Sequence, residues 1–81
     1  MYRYQIVSDV VRDGLGVEFL DAANKVIAEV FRCDRDKTTV FELFDQSVPE
    51  AVMATLIELA RRELRAYEDG TPIGKVARRD V

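Results

Sequence analysis

The feature that most constrains this chain is a single change of hydrophobic period, at about Asp45. Before it, apolar residues alternate with polar ones in short runs separated by turn-forming clusters, the two-residue period of strands. After it they recur at three and four positions, the period of an amphipathic helix. A chain of 81 residues has room for one core only. Strands followed by a helix therefore predict one α+β domain in two layers, with the helix laid across one face of the sheet.

Four runs precede the change. The first, Tyr2 to Arg12, ends at Asp13-Gly14, a dipeptide favoured in type I′ hairpin turns. Leu15 to Leu20 stops at Asp21-Ala22-Ala23-Asn24, and Lys25 to Cys33 stops at Asp34-Arg35-Asp36-Lys37. Thr38 to Phe44 then completes a four-stranded antiparallel meander. Helix entry is marked by Ser47-Val48-Pro49-Glu50, which has the spacing of a capping box with Pro49 in the first turn. From Val48 to about Glu68, the residues Val52, Met53, Leu56, Ile57, Ala60, Leu64 and Tyr67 form one apolar stripe, while Glu58 and Arg62 offer an i,i+4 ion pair. Asp69-Gly70-Thr71-Pro72 ends the long C-terminal helix. The expected architecture is ββββα over residues 1–70. Residues 71–81 form a basic tail with Lys75, Arg78 and Arg79 and too few apolar residues to hold itself down, so it is expected to be mobile unless a partner orders it.

In the simplest hairpin registers, Tyr4, Ile6 and Val10 share a face with Leu15, Val17 and Phe19, with Val26, Ala28 and Val30, and with Phe41 and Leu43. That apolar face is the seat of the helix. Asp9, Glu18, Ile27, Glu29, Phe31, Val40, Glu42 and Phe44 fall on the opposite face, with Asp9 opposite Glu18, Glu29 opposite Glu42, and Glu18 diagonal to Glu29. Like charges directly opposed on a sheet repel by about 0.2–1 kcal/mol per pair, and the apolar members add exposed surface that a monomer usually avoids.

Composition narrows the functions open to such a surface. The chain has no His and one Cys, which removes the commonest proton carrier at neutral pH. Cys33 has Arg32 beside it but no His base, and a packing role is the simpler expectation. A net charge of −3 argues against sequence-independent nucleic-acid binding. The Tyr2-Arg3-Tyr4 pair is too thinly basic to make a stacking platform. Residues after Met1 lack the charged and apolar regions of a signal peptide, no apolar run approaches bilayer length, and a lone Cys suits a reducing compartment. A cytoplasmic protein is expected, with no membrane partner. Asp13-Gly14-Leu15-Gly16 joins two strands, whereas a nucleotide fingerprint joins strand to helix, and no cofactor or metal is implied.

Two readings compete for the second face. It is either a solvated surface or an interface in which Ile27, Phe31, Val40 and Phe44 form the centre and Asp9, Glu18, Glu29 and Glu42 select a basic partner. The leading expectation is a non-enzymatic interaction module, a homo-oligomer, most simply a dimer, joined by the second face or by an edge strand. A carboxylate-based binder of small ligands or metals, or an enzyme, is one alternative. An acidic antitoxin or immunity-type partner of a basic protein is another.

Overall fold

The computed structural model describes residues 3–80. Tyr2, the expected start of the first strand, and Val81, the end of the expected tail, lie outside them. Five strands and one helix follow in the order β1 (Arg3–Asp9), β2 (Gly14–Leu20), β3 (Val26–Cys33), β4 (Thr38–Leu43), α1 (Glu50–Leu64) and β5 (Ala77–Asp80). They form an α+β fold built on one open sheet of spatial order β1-β2-β3-β4-β5, antiparallel except where β5 runs parallel to β4.

The alternating runs become β1 to β4, and their inward faces make the core. Val17, Phe19, Ala28, Val30, Phe41 and Leu43 are buried beneath Met53, Leu56, Ala60 and Leu64 of α1. The helix packs chiefly over β2 and β3. Tyr4 and Ile6 of β1 point to the same side but lie beyond its cover, 42% and 46% exposed.

Two registers differ from expectation by an even number of residues, the second only as far as Phe19, after which a bulge shifts it by one. Glu18 meets Gln5 instead of Asp9, and Glu29 instead of Ile27. Even slips preserve faces because side chains alternate with a period of two. The first slip comes from the turn. Asp9 pairs with Gly14, so Val10–Asp13 is a four-residue loop and Asp13, not Gly14, takes the left-handed conformation (φ 56°). The Asp9 carboxylate starts this turn by accepting the Arg12 N–H at 3.0 Å. Val10, expected on the apolar face, sits at the hairpin tip, 90% exposed. Gly14 is needed for proximity: a Cβ there would stand 2.0 Å from the Arg32 carbonyl oxygen.

Four further expectations are corrected. No side chain caps α1, whose N-cap is Pro49, because Asp45 takes both the N–H (3.0 Å) and the hydroxyl (2.7 Å) of Ser47. The helix ends at Leu64 instead of running on to about Glu68. Arg65 turns to φ 64°, and Arg32, reaching over from β3, donates to the carbonyls of Leu64 (2.9 Å) and Ala66 (2.8 Å). Tyr67 still enters the core, from the loop, with its hydroxyl 2.9 Å from that of Thr39. Glu58 pairs with Arg61 at 3.7 Å instead of with Arg62.

The fourth concerns the sheet, which has five strands and not four, since residues 77–80 return to it as β5 instead of forming a tail. Ile73 is buried in the core and Val76 packs against it. Arg78 lies over the Phe41 ring (5.9 Å to the centroid) and pairs with Glu50 at 2.8 Å. Parallel pairing requires a crossover, and α1 provides it.

Candidate functional site

The face opposite α1 carries a ladder of polar side chains at one register level, Gln5–Glu18–Glu29–Glu42–Arg79, running across all five strands. Three carboxylates stand side by side in its centre. Such a row is destabilising where its charges are left uncompensated, and its central member is compensated from the β1–β2 hairpin tip. Arg12 folds back over the sheet, and its Nη1 and Nη2 donate to Oε1 (3.1 Å) and Oε2 (3.0 Å) of Glu29. Its Nε donates to Asp9 Oδ2 at 2.6 Å, and its guanidinium lies 3.9 Å from the Phe31 ring centroid. Glu18 accepts from Gln5 Nε2 at 2.7 Å.

Glycines make room for this arrangement. Gly14 and Gly16 leave the hairpin end of the second face of β2 without side chains, and a Cβ on Gly16 would lie 2.9 Å from Glu29 Oε2 and 3.3 Å from Phe31 Cδ1. Glu29 is thereby buried although it is charged, and its fork of hydrogen bonds to Arg12 is the geometry in which burial of a carboxylate is least costly. The Arg12 guanidinium is held more firmly protonated than usual, first by Glu29 and then by Asp9. Asp9 is held below the ordinary carboxylate range, first by the Arg12 backbone N–H and then by its side chain.

Of the residues singled out from the sequence, Glu18, Glu29, Phe31, Val40 and Glu42 do share this face. Asp9 lies at its hairpin end, opposite Gly14 instead of Glu18. Ile27 does not belong to the face: the β2–β3 register shifts between Phe19 and Leu20, so that Ile27 is the extra residue of a bulge and is buried in the core. Phe44 follows β4, its N–H bonded to the Ile27 carbonyl at 2.8 Å, and is 47% exposed. Beside Arg12 a cleft of about 280 Å³ is lined by Glu29, Phe31, Cys33, Val40, Glu42 and Arg79, among others. Cys33 is buried there, its Sγ 3.4 Å from the Arg12 carbonyl oxygen. The Glu42 side chain makes no hydrogen bond or ion pair among the described residues, although Arg79 is its register neighbour.

Sequence reasoning missed Arg12 and Arg79, assigning one to a strand end and the other to a tail. The Asp9-x-x-Arg12 spacing followed by Gly14 and Gly16 was the available signal for the first. Among the described residues no cluster of three or more His, Cys, Asp or Glu has metal-holding geometry, and no helix is long and apolar enough to cross a membrane. Comparison with protein-family models, curated proteins and solved structures finds no match for this chain.

Proposed function

We propose that this protein is a small non-enzymatic interaction module that associates with a second copy of itself through the β1 edge. The observation that carries this reading is the state of that edge. β1 is seven residues long, pairs with β2 without a bulge, and leaves Tyr4 and Ile6 uncovered beside the helix. A long, regular, partly apolar edge is a template for pairing with another strand. The carboxylate row gives weaker support to chemistry, because both oxygens of Glu29 are held by Arg12 and Glu18 accepts from Gln5. Multi-angle light scattering tests the reading. Wild type is expected at the mass of a dimer at micromolar concentration and Ile6→Lys at that of a monomer, with unchanged circular dichroism; a wild-type monomer at every concentration would exclude self-association.

A second reading is favoured by Glu42 and Phe44, a carboxylate with no ion-pair partner among the described residues and an exposed ring just past β4. These suit a basic segment of another protein. Binding of an oligolysine peptide that is lost in Glu42→Gln would support that reading, and equal binding by both proteins would remove it.

A further inference from the structure

The two edges of the sheet are built differently. β5 is a four-residue strand, Ala-Arg-Arg-Asp, short and charged in the manner that discourages pairing, whereas β1 has seven residues with no Lys, Pro or Gly among them. Resting on the self-association reading above, we propose that two copies join β1 to β1 antiparallel with Ile6 on the two-fold axis, forming one continuous ten-stranded sheet.

The register follows from symmetry and charge. A two-fold axis perpendicular to the sheet keeps helix side against helix side, so opposed residues share a face and the axis passes midway between the two copies of one residue. The only charged residues of β1 are Arg3 and Asp9, one at each end. Ile6 is midway between them. An axis through Ile6 sets Arg3 of each copy opposite Asp9 of the other, with Tyr4 opposite Ser8 and Gln5 opposite Val7. Axes through Gln5 or Val7 break both charge pairs. Asp9 can accept a further donor: Arg12 holds it, but its side chain keeps 27% exposure, and a carboxylate offers about four lone-pair sites. The Arg3 side chain makes no hydrogen bond or ion pair among the described residues. On the helix side, two Ile6 side chains meet at the centre with a Tyr4 on either flank, covering the apolar surface that α1 leaves open.

Cysteine cross-linking tests the register in the full chain, in a Cys33→Ser background. Directly opposed residues in an antiparallel pair have Cα atoms about 4.5–5.5 Å apart, within disulfide range. Ile6→Cys is therefore expected to oxidise to a covalent dimer, while Tyr4→Cys, whose two copies lie about 13 Å apart at ~3.3 Å per residue, is not. Arg3→Glu places like charges at both ends and is expected to raise the dimer Kd on the order of ten-fold, an effect weakened by salt. A wild-type dimer in which Ile6→Cys fails to cross-link, or Tyr4→Cys does so equally well, or Arg3→Glu is silent, overturns the register and leaves self-association standing. A wild-type monomer overturns both.

Discussion

Arg12 and Glu29 meet end to end, Nη1 on Oε1 and Nη2 on Oε2, at 3.1 and 3.0 Å. The pair decides the character of the second sheet face. Without Arg12, Glu29 would be a buried carboxylate standing between two others, Glu18 and Glu42. With it, the face has one tightly compensated centre.

Arg12→Ala is therefore expected to destabilise the fold by about 1–2 kcal/mol, less than the ~3–5 kcal/mol lost when a fully buried pair is broken, because the Arg12 side chain is 46% exposed. Adding Glu29→Gln removes the uncompensated charge and is expected to recover part of the loss. Urea denaturation of the two variants and wild type measures both changes.

Gly14 and Gly16 tolerate a side chain to different degrees. Gly14→Ala drives a Cβ to within 2.0 Å of a backbone oxygen, whereas Gly16→Ala meets the movable end of Glu29 at 2.9 Å. The first is expected to cost at least ~2–3 kcal/mol, the upper part of the range for overpacking, and the second about 1 kcal/mol. Thermal melts of the two variants rank them, and equal melting temperatures would contradict the close approach of β2 to β3.

Arg32 ties the sheet to the end of α1. Its Nη1 serves the Leu64 and Ala66 carbonyls, and its Nη2 meets Asp34 Oδ2 at 3.1 Å, while Asp34 Oδ1 accepts the Glu68 N–H at 3.0 Å. Arg32→Met keeps the stem and removes every donor, leaving buried acceptors unpaired at a cost of about 3 kcal/mol. Amide exchange in residues 64–68 is expected to quicken more than in β1.

Acid sensitivity has a definite sign. Asp9, Asp45 and Asp69 are all held below their ordinary range. Asp9 is held by the Arg12 backbone N–H, Asp45 by the Ser47 hydroxyl, and Asp69 by the Thr71 backbone N–H. A carboxylate whose folded pKa is depressed contributes stability that is complete above its unfolded pKa and disappears as pH falls through the folded value. Stability is expected to be flat from neutral pH to about pH 5 and to fall below about pH 4. Asp9→Asn is expected to flatten that fall in denaturation midpoints measured across the acid range.

Much of the fold was legible because its determinants are local. Alternation of Val17, Phe19, Val30 and Phe41 with polar neighbours identified the core face, and it survived two register slips because both were even. What was not legible depends on contacts distant in sequence. Ile27 turned inward through a bulge, Ser47 was taken by Asp45 before it could cap a helix, and Arg32 stopped α1 from another strand. β5 was hidden because a four-residue edge strand is held by ladder hydrogen bonds and by one arginine lying across a phenylalanine, neither of which shows as hydrophobic periodicity. At the candidate site, the carboxylates were visible and the Arg12 that compensates Glu29 was not, since its place depends on a turn four residues long.

Amide hydrogen exchange of the wild-type chain as a function of protein concentration reads the β1 edge directly. Pairing at the β1 edge protects the outward-facing amides of Arg3–Asp9 and leaves those of β5 and of the hairpin tip unchanged. Protection confined to β1 that rises with concentration is the predicted result. Exchange in β1 that is independent of concentration, or protection that rises in β4 and β5 instead, would contradict it.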